Sequence, residues 1–432
     1  MSKKWKVSLA VTLVSALAIS GCSQRPESAS PGASSGKEGG TGTSISKKTL
    51  TMMSNVADQP VQDVYRQILN DFTKENPDIA VNIQFPGSAY ENNMKVKMAA
   101  NDLPDVFDTH GWAQIRYGEY LADLRDEPWT QQLTDTIQPV ITDKTGKVYV
   151  LPLSEAKDGI MYNVDMLNKY KLEPPKTLDE LIAAGEKIKK ESGGKTVPFF
   201  FSGIDESTIG TFFDYFANSL LISPANNSAE ALLNHSFDWS KWTTLPEKLL
   251  DIKNRGLINE DFLTAKRSDI PGAFTAEKVA FVLLAPSFVD AVHKLKPDMK
   301  IGLMPIPSIA ADDQPNFSGG ERATMGIWKD SKQIPEAKKL LTFFAKADNM
   351  TKIANVTKLQ PGLKGIESQH DLTEYYKKYA DIRVFPYFDR VYLPNGMWSV
   401  MSKSGTELLA GRITPKDYTN TMKQETERLR KN

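Results

Sequence analysis

Residues 146–190 decide the fold, and they read "GKVYVLPLSEAKDGIMYNVDMLNKYKLEPPKTLDELIAAGEKIKK". Two apolar runs of strand-like composition, 148–152 and 159–163, are followed by an amphipathic helical pattern. Thr177 and Glu180, three residues apart, form a capping box, which predicts that the helix begins directly after Thr177. Two consecutive prolines just before it prevent the helix from extending upstream. The stretch therefore predicts strand, strand and helix in an α/β protein.

Strands and helices alternate upstream of this stretch. Strands are predicted at 50–54, 79–85 and 105–109, with apolar residues at helical spacing in 61–72 and 94–100. This alternation is typical of an open parallel sheet, in which ligands bind at the carboxyl ends of the strands. Those ends are expected at Ser54–Asn55 and at 108–112.

A second α/β unit is predicted downstream. Strands are expected at 197–201, 279–284, 301–304 and 325–328, and helices at 211–221 and 335–347. A chain of 432 residues exceeds the size at which one hydrophobic core keeps growing, which also predicts two domains.

Charge and cysteine content exclude several classes of protein. The 53 basic and 53 acidic residues cancel, and no basic cluster interleaved with aromatic residues is present, which argues against a nucleic-acid-binding protein. The single cysteine excludes an internal disulfide and a zinc site built from several thiolates. The four scattered histidines show no metal-ligand spacing, so neither a metal nor a cofactor is expected.

The N-terminus has the pattern of an export signal. A lysine-rich start and an apolar segment at 7–19 predict a signal peptide over 1–21, which is too short for a membrane span. Residues 19–22, Ile-Ser-Gly-Cys, resemble the bacterial lipobox, which implies that Cys22 is acylated and becomes the new N-terminus. An ordinary signal peptide with an incidental cysteine is the alternative. The Ser-, Gly- and Pro-rich residues 22–48 are expected to form a flexible tether.

An enzyme is the main competing class. Ser-x-x-Lys patterns recur at several serines, but the third element of a penicillin-binding-type acyl-enzyme site is not evident. The many acidic residues are also compatible with the carboxylate pair of a glycosidase. A secreted glycosidase or other hydrolase is therefore one alternative, and a lipoprotein that binds a peptide or polyamine is another.

Three segments carry a family resemblance from about residue 50 to the C-terminus. The opening stretch, then "FTAEKVAFVLLAPSFVDAV" at 274–292, then "IGLMPIPS" at 301–308 with the block that begins "FSGGERATMGIWK" at 317, follow one another in a specific order. Together they resemble the extracellular solute-binding proteins of family 1, the sugar-binding components of ABC importers.

The resemblance implies a periplasmic-binding-protein-like α/β fold of type II, with two lobes joined by crossing hinge strands. The expected limits are 49–149 plus 306–346 for lobe 1 and 150–305 plus 347–432 for lobe 2. Crossings are expected at 150–152, at 304–306 and soon after Phe344. The implied partners are a carbohydrate and the permease subunits of an importer, and the implied state is a lipid-anchored, extracytoplasmic monomer without enzymatic activity.

A sugar presents apolar C–H faces, which aromatic rings bury, and hydroxyl groups, which pair with carboxylates, amides and guanidinium groups. The candidate ligand-binding residues, chosen from strand ends and from segments that the resemblance places at the cleft, are Asn55, Asp108, His110, Trp112, Asp158, Phe288, Gly320, Glu321, Arg322 and Trp398. Several have structural alternatives, such as a helix cap for Asp108 and a core position for Trp112. At Phe288 this chain departs from the family, which often has Gly-x-Trp there. A phenylalanine can stack on a sugar but lacks the indole N–H donor.

Overall fold

The structure is a computed structural model, and it describes residues 47–205, 208–310 and 312–431. The predicted signal peptide, Cys22 and nearly all of the predicted tether lie outside the described residues. In chain order the strands are β1 Lys48–Met53, β2 Ile79–Gln84, β3 Val106–Asp108, β4 Leu151–Asp158, β5 Ile160–Asn163, β6 Val197–Phe199, β7 Ile222–Ser223, β8 Asn226–Asn227, β9 Val279–Val282, β10 Ile301–Met304, β11 Phe317–Ile327, β12 Gln360–Pro361 and β13 Val384–Pro386.

The helices, in chain order, are α1 Gln59–Glu75, α2 Tyr90–Ala99, α3 Gln138–Ile141, α4 Val164–Lys169, α5 Leu178–Glu191, α6 Thr208–Leu221, α7 Ala229–Leu233, α8 Thr244–Asn254, α9 Ile270–Thr275, α10 Phe288–His293, α11 Ile334–Phe344, α12 Ala347–Thr357, α13 Thr373–Lys378, α14 Phe388–Tyr392, α15 Met397–Leu409 and α16 Pro415–Leu429. The capping box at the start of α5 is confirmed: the Thr177 side chain accepts a hydrogen bond from the Glu180 amide, and the Glu180 side chain accepts one from the Thr177 amide.

The first lobe is built on a large mixed sheet. Its order is β12-β4-β11-β3-β1-β2, and β13 pairs in parallel with β11. The predicted parallel unit is confirmed, because β1 is parallel to both β2 and β3. Between β3 and β4 lies β11, antiparallel to both. The carboxyl ends of β1 and β3 consequently meet at one edge of the sheet.

The second lobe contains a smaller sheet of order β10-β5-β9-β6. A hydrophobic cluster around Trp242, Phe213 and Tyr418 packs α6, α8, α15 and α16 together on one side. A smaller cluster around Phe274 and Phe288 joins α9 and α10 to β9 and β10. The predicted two α/β lobes are confirmed.

The chain passes between the lobes within the long antiparallel pair β4 and β11. Leu153 packs in the first lobe and Ile160 in the second, so the first crossing lies within β4, slightly later than predicted. Ile306 still packs in the second lobe, whereas Met325 packs in the first. The chain therefore returns to the first lobe within β11 and not at 304–306.

Helix α12 also packs in the first lobe, through Met350 and Ile353. Leu363 belongs there as well, whereas Leu372 packs in the second lobe, which places the third crossing after α12. The crossings that the resemblance implied at 304–306 and soon after Phe344 therefore lie later in the chain, within β11 and after α12, and the lobe limits at 306, 346 and 347 move with them.

Candidate functional site

Asp108 lies at the carboxyl end of β3, beside the end of β1. Its Oδ2 accepts hydrogen bonds from Ser54 Oγ at 2.5 Å and from the Asn55 amide at 2.9 Å. The other oxygen, Oδ1, is buried without a hydrogen-bond partner among the described residues. Burial raises the pKa of the Asp108 carboxyl to about 7, although the bonds from Ser54 and Asn55 act in the opposite direction. The site thus offers a buried acceptor that no described protein group uses.

The residue after Asp108 links this strand end to β11. Thr109 Oγ1 donates to Glu321 Oε1 at 2.6 Å, and Thr324 Oγ1 donates to the same oxygen at 2.9 Å. Glu321 is buried, so the two hydroxyls supply the hydrogen bonds that a buried carboxylate requires. These bonds fix the middle of β11 against the end of β3.

Arg322 leaves the regular ladder at a bulge in β11. Register shifts occur on both sides of Ala323, a local irregularity that changes the direction of a side chain. Arg322 Nη1 lies 2.9 Å from Asp158 Oδ2 and donates to the Tyr387 hydroxyl at 2.7 Å. The Tyr387 hydroxyl donates in turn to Asp158 Oδ2 at 2.7 Å, and burial raises its pKa, so it stays protonated. Asp158 Oδ1 is buried without a partner in the described part of the chain.

These three groups of contacts are joined through the consecutive residues 108–109 and 321–322. We call the whole set the junction array: Asn55, Asp108, Thr109, Glu321, Arg322, Asp158 and Tyr387. The array runs from the end of β1 in the first lobe to the residue before α14 in the second. Glu155, on β4 opposite Glu321, adds another buried carboxyl whose Oε1 has no partner within the described ranges. Burial raises the pKa of Glu155.

The segment after β3 carries an aromatic surface. His110 Nε2 lies 2.5 Å from Glu91 Oε1, and Arg116 Nη1 lies 2.5 Å from Glu91 Oε2. Burial opposes ionisation of Glu91, but His110 and Arg116 outweigh it and hold the pKa of this carboxyl below its usual value. The Arg116 guanidinium carbon stands 4.3 Å from the centre of the Trp112 ring. This cation–π contact holds the half-buried Trp112 in place.

The second lobe contributes a pair of buried acids. Asp214 of α6 accepts a hydrogen bond from the Asp389 amide at 2.9 Å, and Ser318 Oγ lies 3.5 Å from its other oxygen. Burial raises the pKa of both Asp214 and Asp389, and each carboxyl affects the other. Trp398, in the first turn of α15, packs closely on Gly210 of α6. A Cβ added to Gly210 would lie 3.1 Å from the Trp398 ring.

The structure brings together most of the predicted site. Residues that lie in or beside the junction array are Asn55, Asp108, His110, Trp112, Asp158, Gly320, Glu321 and Arg322. Trp398 lies on the second-lobe side, next to α6. Phe288 lies elsewhere: it is 4% exposed and packs edge-on against Phe274 at 5.2 Å. The motif position that suggested Phe288 belongs here to a short helix whose aromatic residue fills the core.

Several residues of the site were absent from the sequence prediction. They are Glu155, Asp214, Tyr387, Asp389 and Arg390, and the last donates to the His110 carbonyl at 3.1 Å. A signal existed for Asp214, because it is the one charged residue in the largely apolar helix TIGTFFDYFANSLL. No comparable pattern marks the residues around α14, which reach the site only through tertiary packing.

The arrangement suits a neutral ligand that is rich in hydroxyl groups. Asp108, Glu155 and Asp158 each have a buried carboxylate oxygen that no described residue hydrogen-bonds, and each such oxygen can accept an O–H. Trp112 and Trp398, both partly buried, offer aromatic surface. The described residues hold no group of three or more acidic, histidine or cysteine side chains that could bind a metal ion. Their helices also include none with the length and apolar character needed to cross a bilayer.

Comparison with known proteins connects this arrangement to a family. The chain is 43% identical to the melibiose/raffinose/stachyose-binding protein MelE of Bacillus subtilis over 401 residues, 93% of each chain. A binding protein of Bacillus subtilis solved in an open conformation shares 43% identity at a TM-score of 0.86, covering 90% of this chain and 99% of that one. A sugar transporter of Bacillus licheniformis in complex with stachyose shares 46% identity at a TM-score of 0.79, covering 88% and 100%. A family model described as bacterial extracellular solute-binding protein matches residues 58–351, and the chain belongs to this family.

Proposed function

We propose that this protein captures an oligosaccharide between its two lobes and delivers it to an ABC importer. The observation that carries the proposal is the set of buried carboxylate oxygens at Asp108, Glu155 and Asp158, which have no hydrogen-bond partner among the residues that the structure describes. A buried acceptor left unpaired costs free energy, and a sugar hydroxyl relieves that cost. A ligand without matching hydroxyls leaves the acceptors unpaired and is rejected.

The proposed ligands are melibiose, raffinose and stachyose. Support comes from the 43% identity to MelE over 93% of each chain and from the stachyose complex of a relative at 46% identity. Trp112 on the first lobe and Trp398 on the second would stack on sugar rings, while the junction array would bind hydroxyls at the ring edges. Such a ligand touches both lobes, and its preference for the closed arrangement drives closure.

No covalent step is part of this proposal. The family and the relatives with known ligands are binding proteins, which supports transport rather than hydrolysis. We further propose that the protein acts as a monomer outside the cytoplasmic membrane, held there by acyl chains on Cys22. Two chains on one residue suffice for stable anchoring. Recovery of a Cys22→Ala protein in the membrane fraction would contradict the anchor.

The decisive experiment titrates the mature chain with melibiose, raffinose and stachyose by calorimetry, with maltose and cellobiose as controls. Chromatography of the same samples detects any cleavage. We expect saturable binding of at least one of the three galactose-containing sugars, with the sugar recovered intact. Accumulation of cleaved sugar would favour a glycosidase, and absence of binding to all three would overturn the proposed ligand class.

A further inference from the structure

Two aspartates, one just before β3 and one at its end, are held by β1 and the residues after it in the same way. Asp105 Oδ2 accepts hydrogen bonds from the Thr51 hydroxyl at 2.7 Å and from the Thr51 amide at 2.8 Å. Asp108 Oδ2 accepts one from the Ser54 hydroxyl at 2.5 Å and one from the Asn55 amide at 2.9 Å. Each acid therefore receives one hydroxyl donor and one amide donor on a single oxygen.

The second carboxyl oxygen distinguishes the two acids. Asp105 Oδ1 accepts a hydrogen bond from the Ser331 hydroxyl at 2.5 Å, so both oxygens of Asp105 have donors. Asp108 Oδ1 is buried, and no described residue donates to it. The two acids thus share a strand and a mode of attachment, but Asp108 keeps one acceptor that the described part of the protein does not use.

Three tyrosines lie close enough to Asp108 to be affected by its charge. The pKa values of Tyr65 on α1, Tyr90 on α2 and Tyr117 are raised, first by burial and in part by the negative charge of Asp108. The tyrosines therefore stay uncharged at neutral pH. Tyr90 donates to the main-chain carbonyl of Asp108 and not to its carboxyl group. These neighbours bury the carboxyl but supply no positive charge to balance it.

The charged groups of the surrounding segments contact other partners. His110 and Arg116, in the segment after β3, each lie 2.5 Å from Glu91 of α2. Arg390, which comes from α14, donates to the main-chain carbonyl of His110 at 3.1 Å. On the β11 side the titratable group is Glu321, which is another buried acid. No described contact therefore pairs the carboxyl at the end of β3 with a cation.

Burial consequently prevails over the bonds from Ser54 and Asn55, and the pKa of Asp108 is about 7. A sugar hydroxyl that donates to Oδ1 gives the ionised form a third hydrogen bond. We infer that ligand binding expels a proton from Asp108. The ligand hydroxyl keeps its hydrogen atom and donates a hydrogen bond to Oδ1, while the carboxylic proton passes to solvent. This exchange rests on the proposed function, because it requires a ligand with a hydroxyl group at this position.

The expected signature is a coupling between binding and pH. Ionisation of Asp108 favours the bound state, so affinity is full above pH 7 and is lost as the pH falls through 7. For melibiose, raffinose or stachyose, whichever binds best, we expect about tenfold higher affinity at pH 8 than at pH 6 and release of about half a proton per sugar at pH 7. Calorimetry in buffers that differ in their enthalpy of ionisation measures both quantities. Proton uptake, or an affinity independent of pH, would overturn the inference.

Matched variants identify the group that loses the proton. Ser54→Ala removes a hydrogen bond that favours ionised Asp108, so the midpoint of the pH profile should rise by about one pH unit. Thr51→Ala removes the equivalent bond from Asp105 and should leave the midpoint in place. Asp108→Asn should bind more weakly and without proton release. Burial also raises the pKa of Glu155, so proton release that persists in Asp108→Asn and vanishes in Glu155→Gln would contradict the assignment.

A measurement without sugar tests the protonation state by itself. Carbon NMR of protein labelled at the aspartate carboxyl groups, with the signal assigned through Asp108→Asn, follows the ionisation of Asp108 directly. We expect a midpoint near pH 7. A carboxyl that is already ionised at pH 5 would overturn the inference, whichever sugar binds. A midpoint near pH 7 with no binding of any sugar between pH 6 and 8 would reject the proposed function, and the exchange with it, while confirming the protonated carboxyl.

Discussion

The two lobes handle buried carboxyl groups differently. In the first lobe one oxygen of Asp108 accepts hydrogen bonds from Ser54 and Asn55, and the other has no partner within the described part of the chain. In the second lobe Asp214 and Asp389 lie against each other, and each provides part of the surroundings of the other. A lone buried acid thus keeps an acceptor for a ligand, whereas the two acids of a pair supply part of each other's surroundings. The first lobe is therefore expected to determine recognition and the pair to affect mainly stability.

The largest effect is expected from removing the lone acceptor. Asp108→Ala should weaken sugar binding about a hundredfold in calorimetry at pH 8, above the pKa of about 7, because it removes a charged hydrogen-bond acceptor worth roughly 1.5–3 kcal/mol. The control is Asp102→Asn, an exposed acid on the same lobe. Affinity within threefold of the unmodified protein would show that Asp108 does not contact the ligand.

A second effect follows from the pKa of about 7 at Asp108. In the unfolded chain the Asp108 carboxyl ionises near pH 4, whereas in the folded protein it stays protonated until about pH 7. Ionisation therefore favours the unfolded state, and the stability that protonated Asp108 provides at low pH is lost as the pH rises toward 7. Asp108→Asn keeps the acceptor for Ser54 and Asn55 but does not ionise. Its free energy of unfolding should rise relative to that of the unmodified protein by up to about 1.4 kcal/mol per pH unit between pH 4 and 7. Urea denaturation at several pH values measures the difference, and parallel curves would refute the argument.

A smaller effect is expected from the paired acids. Asp214→Asn removes one of two buried acids whose pKa values are both raised, so the variant should gain stability relative to the unmodified protein as the pH rises. We expect a gain on the order of 1 kcal/mol at pH 8, little at pH 4, and a change in sugar affinity below about threefold. A loss of affinity as large as that of Asp108→Ala would erase the distinction between the lobes.

The smallest effect on affinity is expected at Phe288. Phe288→Leu should change sugar affinity less than about twofold, because the ring packs on Phe274 away from the junction array. The midpoint of thermal unfolding should fall by several degrees, since a buried aromatic side chain is shortened. A tenfold loss of affinity without a change in the thermal midpoint would restore Phe288 as a ligand contact.

Sequence patterns predicted the features that depend on residues close together in the chain. The parallel order of β1, β2 and β3, the capping box at Thr177 and the strand ends at Asn55 and Asp108 all follow from periodicity, capping and the geometry of parallel sheets. The early part of β11 was missed, since Gly319, Gly320 and the polar residues after them do not resemble a buried strand. Their burial results from pairing with β4 on one side and β13 on the other.

The second-lobe side of the site depended on tertiary packing. Tyr387, Asp389 and Arg390 lie at a short helix whose sequence carries no recognisable site pattern. Tyr387 contacts Asp158 across 229 residues of chain, and Arg390 contacts His110 across 280. At Phe288 the sequence motif is present but its side chain does not reach the site. A family motif can be located correctly in the sequence while its side chain packs into the core.

The position of β11 in the first sheet also has a consequence for the order of folding. This strand separates β3 from β4, so the first lobe lacks an inner strand until residue 327 has been synthesised, after most of the second lobe. Completing the sheet requires contacts between residues far apart in sequence, and such contacts form slowly. A nascent chain that ends before Phe317 cannot complete its N-terminal lobe, and it presents the open edges of β3 and β4 to whatever binds unfolded chains during synthesis.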